Sequence, residues 1–336
     1  MLIFPKFPKK KKIKSIAVLT SGGDAPGMNA AIRAVVRYGI SQRCEVYGVM
    51  KGYSGLIEGL FESLNVSSVA NIIQRGGTIL KTDRCEAFFE RSVRKEAADL
   101  LRRKGIEGLV VIGGDGSFAG AYELEKETGF PTIGVPGTID NDVAGTEDTI
   151  GFDTAVNTAL QAIDRIRDTA SSHDRLFLVE VMGRSAGFIA IETGIGGGAE
   201  TVIVPEKGVT GGSIQEICDT IRRGIRRGKK SSIIVVAEGA KAGLSQKIAN
   251  DLSKNGFNPR VCILGHTQRG GTPTAHDRLL ASVLGAASVG YLLAGKSNAM
   301  VGVQKGEVAW VPFKKVSKIK RPLPQDLLDL ARVLAI

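Results

Sequence analysis

Short apolar runs alternate with glycine turns and helical segments along nearly the whole chain. Runs of β-branched and aliphatic residues predict strands, and apolar residues spaced three and four apart predict helices. The predicted strands are 16–20, 45–50, 109–112, 132–135, 176–181, 201–204, 233–237 and 261–264. The predicted helices are 30–38, 92–104, a segment ending at Glu127, 156–167, 213–227 and 244–255.

The predicted strands are continuously apolar, which is typical of parallel sheets that are covered on both faces. Their alternation with helices predicts an α/β fold, and the length of 336 residues favours two doubly wound domains with mainly parallel sheets. We expect the two halves to meet near Gly151. Parallel sheets bind ligands at the carboxyl ends of their strands, so we expect the active site in the cleft between the domains.

Composition narrows the classes of partner. The chain carries 45 basic and 34 acidic residues, and the net charge of +11 favours phosphates, nucleic acid or anionic lipid. Aromatic residues make up only 5%, which argues against a surface that stacks bases. The four cysteines are far apart, which argues against a zinc or disulfide framework and favours a reducing cytoplasm. No apolar run approaches the length of a membrane span.

The first 12 residues differ from the rest of the chain. An apolar patch broken by prolines is followed by four lysines at 9–12, the reverse of the order in a secretory signal. We predict a solvated basic tail, with an arm that binds nucleic acid as the alternative.

Three glycine-containing loops each follow a predicted strand. The first, 20–29, also opens a helix, so its backbone N–H groups can face an anion. Its spacing is neither G-x-G-x-x-G nor the P-loop pattern, which disfavours both of those nucleotide folds. A tight turn with an Asp or Asn cap is the alternative interpretation of this loop.

The second and third loops add carboxylates. Asp115 lies between two glycines in the loop 113–117, where it can reach a Mg²⁺ that it shares with bound phosphates. Asp140 and Asp142 lie in the loop 136–142, and in an extended chain residues two apart point the same way. One carboxylate could then accept a proton from an attacking hydroxyl while the other supports the metal. A capped turn and a solvated acidic turn remain the alternatives.

A set of basic residues lies near predicted strand ends in the second half. Arg175, Arg184, Arg260 and Arg269 carry the forked guanidinium that suits phosphate oxygens, although each alone could be a surface charge. His266 lies in a loop too polar for a core histidine. We interpret the basic run 222–230 as a solvated helix end, and a regulatory anion site is the alternative.

Read in order, these segments resemble the ATP-dependent 6-phosphofructokinases of bacterial type. The resemblance rests on SGGDAPGMNA (21–30), GGDGS (113–117), PGTIDND (136–142), TIGFDTA (149–155), VEVMGR (179–184), GHTQRGG (265–271) and KRP (320–322). It runs from about residue 13 to the end. It implies an ATP-binding domain of 13–150 plus about 268–318, and a fructose 6-phosphate domain of 151–267 plus about 319–336, behind the basic tail 1–12.

The resemblance also implies roles for individual residues. Asp140 would be the base for the sugar 1-hydroxyl, Asp115 would hold Mg²⁺, and Thr138 with Arg184 would stabilise the transferring phosphoryl group. The implied ATP-binding residues are Gly23, Tyr53, Arg84, Gly114, Asp115, Gly116 and Ser117. The implied sugar-phosphate residues are Thr138, Asp140, Asp142, Met182, Gly183, Arg184, Glu238, His266 and Arg269, with Arg175 and Arg260 contributed by a neighbouring subunit. The family therefore implies a homotetramer with shared active sites.

Two glycines address the phosphoryl donor. Relatives that use pyrophosphate typically carry Asp where Gly116 stands and Lys where Gly137 stands. A side chain at 116 would fill space that the α-phosphate needs, so both glycines favour ATP.

The family's effector site is only partly matched. Arg33, Arg37, Arg167, Glu200, Arg227 and Lys229 match its positions, which implies an ADP or phosphoenolpyruvate effector. Asn65 stands where an arginine is usual and Ala70 where an acidic residue is usual. The residues 85–89 also depart from the pattern, which puts the usual adenosine contacts there in question.

Three alternatives stay open at this point. The NAD and diacylglycerol kinase group shares a GGDG loop, but it does not account for PGTIDND or GHTQRGG. A pyrophosphate-dependent phosphofructokinase would share most motifs. From another class, a basic nucleic-acid-binding protein would account for the charge and the lysine tail, although the few aromatics and the acidic loops argue against it. We therefore expect a glycolytic kinase in the cytoplasm, with no nucleic acid or membrane partner.

Overall fold

The computed structural model describes residues 2–8, 13–171, 175–208, 211–239, 243–316 and 319–335. The strands are β1 (Ser15–Thr20), β2 (Glu45–Val49), β3 (Phe61–Leu64), β4 (Gly108–Gly113), β5 (Thr132–Pro136), β6 (Leu176–Val181), β7 (Thr201–Ile203), β8 (Ser232–Ala237), β9 (Pro259–Ile263), β10 (Ala299–Gln304) and β11 (Glu307–Pro312).

The helices are α1 (Met28–Ser41), α2 (Gly52–Glu58), α3 (Arg91–Arg103), α4 (Asp115–Thr128), α5 (Phe152–Ser171), α6 (Phe188–Gly196), α7 (Gly211–Arg226), α8 (Leu244–Lys254), α9 (Ala275–Leu293), α10 (Phe313–Val316) and α11 (Gln325–Leu334). Two short 3₁₀ turns cover Glu86–Phe89 and Gly265–Arg269.

The chain divides into two compact units. Unit 1 comprises Met1–Asp153 and Arg269–Arg321, and unit 2 comprises Thr154–Gln268 and Pro322–Ile336. Each unit has one sheet, and helices follow the parallel strands in both. The prediction of an α/β fold with mainly parallel sheets is confirmed.

The sheet of unit 1 has seven strands in the order β11-β10-β5-β4-β1-β2-β3. The five strands from β10 to β2 run parallel, and the two edge strands β3 and β11 are antiparallel to their neighbours. All residues of β1, β4 and β5 are buried. Helices on its faces cover these strands, and the stacked rings of Phe118 and Phe313 lie in that core. The burial explains why the strands have no polar alternation.

The sheet of unit 2 has four parallel strands in the order β7-β8-β6-β9. Its inner strand β8 is buried throughout, whereas the edge strand β9 is half exposed. The core beneath it is aliphatic and includes Leu178, Ile217 and Val236.

The predicted elements all occur, with ends displaced by a few residues. The largest displacement is at α5, which begins four residues before the predicted 156. The pattern did not predict β3, β10, β11 or the helices α2, α6 and α9 to α11. Helix α9 lacks a polar stripe because most of its residues are buried, and it packs so closely on α1 that a Cβ at Gly285 would lie 2.7 Å from the Ala31 carbonyl oxygen. An amphipathic period is absent from such a helix.

Residues 2–8 of the predicted basic tail make contacts with the rest of unit 1, although Ile3 and Phe4 stay 61% and 42% exposed. Phe4 packs edge-on against Tyr38 of α1, and Phe7 packs edge-on against Tyr291 of α9. Ile3 forms a backbone bridge with Glu307 of β11. The two phenylalanines of the tail therefore pack on tyrosine rings of α1 and α9, contacts that the neighbouring run of lysines gave no reason to expect. The four lysines at 9–12 lie outside the described residues.

None of the helices in the described part of the chain is both long enough and apolar enough to cross a membrane.

Candidate functional site

The first predicted loop is held over the carboxyl end of β1 by backbone and side-chain hydrogen bonds. Ser21 N donates to the Ile112 carbonyl at 2.9 Å, and Ser117 Oγ donates to the Ser21 carbonyl at 3.1 Å. Gly22 has φ 87°, a conformation that side chains rarely adopt. The loop therefore turns sharply at the edge of the sheet and comes directly beside the loop that follows β4.

Two residues that the sequence did not single out, Lys81 and Thr82, lie against this loop. Thr82 Oγ1 donates to the Gly22 carbonyl at 2.7 Å, and Thr20 Oγ1 donates to the Lys81 carbonyl at 2.8 Å. The next residue but one is Arg84, which is exposed. The two threonines were the only hint in the sequence that these segments meet. They could not show it, because the carbonyl oxygens to which they donate are about sixty residues away along the chain.

Arg269 lies over the first loop. Its Nη1 donates to the Asp24 carbonyl at 3.1 Å, and a Cβ at Gly23 would lie 2.6 Å from the same nitrogen. The structure therefore brings together Gly23, predicted for ATP, and Arg269, predicted for the sugar phosphate. A guanidinium that rests on a glycine backbone leaves its remaining N–H groups for an anion.

Tyr53 and Ser117 support the site from beneath. The Tyr53 hydroxyl donates to the Ser117 carbonyl at 2.7 Å, and its ring stacks on Phe88 with the ring centroids 3.9 Å apart. Burial raises the pKa of the Tyr53 phenol well above its usual range. Arg94 donates to the Phe88 and Phe89 carbonyls and fixes the 3₁₀ turn. The hydroxyls of Tyr53 and Ser117, both predicted to contact ATP, are thus used in bonds to backbone oxygens.

The second loop ends at the first turn of α4. Asp115 is exposed in that turn, and its Oδ1 accepts a hydrogen bond from Gly116 N at 2.7 Å. A Cβ at Gly116 would meet no atom within 4 Å, whereas one at Gly113 would lie 2.5 Å from the Ser21 carbonyl oxygen. The N–H groups of this turn and the helix dipole favour a phosphate in the open space at Gly114 and Gly116.

The residues present also fit a magnesium ion. Within the described residues, no group of three or more His, Cys, Asp or Glu side chains could hold a metal by itself. A single exposed carboxylate, Asp115, beside an open phosphate site is the donor set that suits Mg²⁺ shared with phosphate oxygens and water.

The third predicted loop is part of a longer closed loop, residues 137–151, here called the aspartate loop. A parallel bridge joins Gly137 to Ile150, and Thr149 Oγ1 donates to the Thr138 carbonyl at 2.7 Å. Asp140 is buried within the loop, and its backbone N donates to Thr138 Oγ1 at 3.2 Å. The loop is therefore fixed at its base.

The argument that Asp140 and Asp142 point the same way in an extended chain is wrong. Asn141, between them, has a left-handed φ of 51°, so the chain turns at this residue. Arg321 donates to the Asn141 carbonyl at 3.0 Å and holds the turn. Asp140 is accordingly buried, whereas Asp142 is half exposed.

The second loop and the aspartate loop are neighbours because β4 and β5 pair. Gly137 N donates to the Gly113 carbonyl at 2.9 Å, and a Cβ at Gly114 would lie 3.8 Å from Thr138 Cβ. A Cβ at Gly137 would lie 3.1 Å from Ile112 Cγ2. Unit 1 thus places a phosphate-type turn, an exposed carboxylate and a buried carboxylate at one edge of one sheet.

In unit 2, loops at the carboxyl ends of three neighbouring strands hold the other predicted residues. Arg184 N donates to Glu238 Oε1 at 2.8 Å, and Met182 N donates to Gln268 Oε1 at 2.8 Å. Gly183 has φ 135°, and a Cβ there would lie 2.5 Å from the Ala186 carbonyl oxygen. This tight turn, which only a glycine at 183 accommodates, leaves Arg184 exposed after β6.

The remaining predicted sugar-phosphate residues of unit 2 are distributed over both ends of its sheet. His266 is exposed and follows β9, at the same end as Glu238. Arg175 precedes β6 and Arg260 is the second residue of β9, so these two lie toward the opposite ends of their strands. Within this unit they are separated from Arg184 and Glu238 by most of a strand.

The predicted effector residues fall into two groups. Arg33 and Arg37 lie one turn apart on α1 in unit 1, where burial and the charge of Arg37 lower the pKa of Arg33. In unit 2, Glu200 pairs with Lys229, and both residues line a cavity of 960 Å³ together with Arg227.

Two further features bear on that second group. Arg167 donates to the Gly198 carbonyl at 3.0 Å, but Arg167 does not line the cavity. Helix α7 ends at Arg226, and the side chains that follow it are exposed, as the basic run predicted.

Asn65 has a local role. Its Oδ1 accepts hydrogen bonds from Ser67 N at 2.8 Å and Ser68 N at 3.0 Å, so the side chain caps a turn. Ala70, which also departs from the family pattern, is exposed.

Comparisons with known proteins identify the same family that the sequence motifs resemble. The sequence model of the family described as Phosphofructokinase matches residues 15–292. The ATP-dependent 6-phosphofructokinase 1 of Thermus thermophilus is 55% identical over 328 residues, which cover 96% of this chain and 100% of the relative. The ATP-dependent 6-phosphofructokinase of Shouchella clausii is 52% identical over 326 residues, with the same coverage.

Among solved structures, phosphofructokinase from Saccharomyces cerevisiae superposes with a TM-score of 0.84 at 36% identity. The match covers 91% of this chain but only 45% of the yeast chain, so this chain spans about half the length of that relative.

Proposed function

Since the chain belongs to the phosphofructokinase family, we propose that it is an ATP-dependent 6-phosphofructokinase of glycolysis. It transfers the γ-phosphoryl group of Mg·ATP to the 1-hydroxyl of D-fructose 6-phosphate, giving ADP and fructose 1,6-bisphosphate. The observation that carries the proposal is the pairing of β4 with β5, which sets the phosphate-type turn of Asp115 beside the aspartate loop with its buried Asp140.

In the proposed reaction the 1-hydroxyl oxygen forms a bond to the γ-phosphorus while the bond from that phosphorus to the β-phosphate oxygen breaks. Asp140 accepts the hydroxyl proton. Phosphoryl transfer asks little covalent chemistry of the protein, so most of the rate comes from positioning and from cations near the phosphoryl oxygens. Thr138 and Arg184 are assigned to those oxygens, and Gly23 and Arg84 to the ATP phosphates.

Asp115 is the proposed ligand of Mg²⁺, which when bound neutralises charge on the transferring phosphates. Its position in the first turn of α4 supports this role, because the same turn offers N–H groups to the phosphates. The carboxylate also caps Gly116 N, which orients it before any ion binds.

The donor is assigned as ATP rather than pyrophosphate. The space at Gly116 is open, so a nucleotide phosphate can approach the backbone there. Position 137 is closely packed, and a lysine there would have to displace the side chains of Ile112 and Met28.

The sugar phosphate is assigned to Met182, Gly183, Arg184, Glu238, His266 and Arg269, together with Thr138, Asp140 and Asp142. Arg175 and Arg260 are assigned to the 6-phosphate bound by a neighbouring subunit, in a homotetramer. Their position toward the opposite strand ends from Glu238 supports this division of labour. We further propose a cytoplasmic enzyme, in keeping with four free thiols.

Regulation by a phosphorylated effector such as ADP or phosphoenolpyruvate is proposed for Arg33, Arg37, Arg167, Glu200, Arg227 and Lys229. The cavity in unit 2 supports an anion site because the five basic residues that line it outnumber the three acidic ones, Glu200, Glu216 and Asp219. The turn cap at Asn65 removes one expected cation, so we expect weaker control than in relatives that carry arginine there.

The test is an initial-rate comparison of ATP and pyrophosphate as donors to fructose 6-phosphate, with the product identified by ³¹P NMR. We expect fructose 1,6-bisphosphate with ATP and magnesium, and no turnover with pyrophosphate. Turnover with pyrophosphate alone would overturn the donor assignment. The same assay with ADP and phosphoenolpyruvate added measures regulation.

A further inference from the structure

The far half of the aspartate loop is fastened to the first turn of α9. Asp148 pairs with His276 Nε2, and Gly151 N donates to Asp277 Oδ1 at 2.8 Å. Thr274, the N-cap of α9, donates to Asp153 Oδ2 at 2.5 Å. Two attachments therefore join the loop to this helix end, and a third joins the start of α5 to it, all more than 120 residues away along the chain.

These attachments differ in how they respond to pH. Asp277 is fully buried and bonded to a backbone N–H, whereas the His276 side chain is 48% exposed and the Asp148 side chain is 24% exposed. Solvent therefore reaches the His276–Asp148 pair. Histidine is the side chain whose charge ordinarily changes near neutral pH.

The carboxylates near His276 favour its protonated form. Burial acts to lower its pKa, but the hydrogen bond and charge of Asp148 and the charges of Asp153 and Asp277 outweigh burial, so the pKa is raised. The pKa of the Asp148 carboxyl is also raised, chiefly by burial, while His276 and the cation Arg321 oppose that shift. The groups that face the pair are Asp148, Asp153, Asp277 and Arg321.

We propose that His276 is a positioning residue whose ion pair with Asp148 holds the aspartate loop against α9, so that loss of its proton loosens the loop that carries Asp140. This inference rests on the proposed role of Asp140 as the base. The connection is short: Asp148 is followed directly by Thr149, whose hydroxyl donates to the Thr138 carbonyl, and Thr138 Oγ1 in turn accepts from Asp140 N.

The direction with pH follows from the raised pKa values. Because the folded protein holds the His276 proton more tightly than the unfolded chain does, the contribution of His276 to stability is fully present below its ordinary pKa of 6.5 and is lost as pH rises through its folded-state pKa. The raised pKa of Asp148 acts in the same direction at lower pH, where that carboxyl loses its own proton. The ionised pair exists between the ionisations of Asp148 and His276. We therefore expect the ion pair to hold the loop once Asp148 is ionised and up to the folded-state pKa of His276, and the loop to loosen at higher pH.

The experiment compares kcat against pH, from 6 to 9.5, for wild-type enzyme, His276→Gln, His276→Lys and Asp148→Asn. In wild type we expect kcat to fall roughly threefold to tenfold on the alkaline limb, as expected for a small misplacement of a catalytic group. His276→Lys keeps its charge and should abolish that limb. His276→Gln should show the reduced kcat at all pH values, with the KM for each substrate changed less than about twofold.

A measurement independent of activity accompanies the rates. The chain has three histidines, so His276→Gln identifies the His276 resonance in the NMR titration. We expect its midpoint above that of a free histidine, and Asp148→Asn should lower it. Asp251→Asn, which breaks the exposed pair of Asp251 with Lys254 on α8, is the matched control and should change neither the titration nor the rate profile.

An unchanged alkaline limb in both His276 variants would overturn the proposal, as would a His276 midpoint that Asp148→Asn leaves in place. If His276→Gln does not fold, His276→Lys and Asp148→Asn decide the question. Near-normal turnover in Asp140→Asn would instead overturn the assignment of the base, so the two failures are distinguishable.

Discussion

The predicted site residues of unit 1 and unit 2 are held in different ways. In unit 1, the loops after β1, β4 and β5 are tied to one another by bonds such as Ser117 Oγ to the Ser21 carbonyl and Gly137 N to the Gly113 carbonyl, and Asp140 is buried. In unit 2, Arg184 and His266 are exposed on loops after β6 and β9.

We infer from this difference that unit 1 holds the reacting groups in place before substrate binds, whereas unit 2 recognises the substrate. A group that carries out proton transfer has to be held before the substrate arrives, since a small misplacement lowers the rate strongly. An exposed side chain such as that of Arg184 stays hydrated in the free enzyme and makes its contacts only when a phosphate binds. We therefore expect changes in unit 1 to act mainly on kcat or on the donor. Apart from Arg184, which is assigned to the transferring phosphoryl group, changes in unit 2 should act mainly on the KM for the sugar phosphate.

The largest expected effect is that of Asp140→Asn. The amide is nearly isosteric but cannot accept the hydroxyl proton, so kcat should fall by about 100-fold to 10,000-fold. The KM values should change by less than roughly threefold, because the loop contacts remain. Steady-state rates measure both. Asp99→Asn, an exposed aspartate on α3, is the control and should leave the rates unchanged.

A second change tests the donor side of unit 1. Gly116→Asp adds a carboxylate where a phosphate is expected, so kcat/KM for ATP should fall by at least about tenfold, which corresponds to about 1.4 kcal/mol. Gly116→Ala is the matched control, because a Cβ there meets no atom within 4 Å. Equal ATP kinetics in the two variants would contradict the assignment of a phosphate to this turn.

A third change tests unit 2. Glu238→Ala removes the acceptor of Arg184 N, and with it a bond to a charged group worth about 1.5–3 kcal/mol. The KM for fructose 6-phosphate should rise by about tenfold or more, while the KM for ATP stays within roughly twofold. Glu238→Gln keeps an acceptor for Arg184 N, so its KM for fructose 6-phosphate should lie between those of the wild type and Glu238→Ala. A variant with altered ATP affinity alone would break the proposed division between the units.

The smallest effect on activity is expected from Phe7→Ala. The ring packs on Tyr291 and covers Gly290, so its loss should cost about 1–3 kcal/mol of folding stability, as for a partly buried side chain. Scanning calorimetry should show a lowered Tm with unchanged kcat. Phe89→Ala removes a ring that is 79% exposed and should leave Tm within about 1 °C. A change in kcat for Phe7→Ala would mean that the segment 2–8 affects the site directly.

Some of the local structure followed directly from the sequence. Continuous apolar runs such as that of β4, and turns such as Gly113–Ser117 behind it, predicted strands, sheet class and the loops that carry chemistry, because these depend on residues close together in the chain. The family motifs then assigned roles to Asp115 and Asp140. In contrast, α9 was missed because a helix buried on most sides has no amphipathic period.

Only the tertiary structure decided the contacts between residues that are distant along the chain. The chain turns at the left-handed Asn141, Arg269 lies over Gly23, and His276 pairs with Asp148. No local pattern encodes such pairs, because each depends on strand order and on which loop a helix end reaches. Local sequence thus determined which groups were available, and the packing of the sheet decided which of them meet.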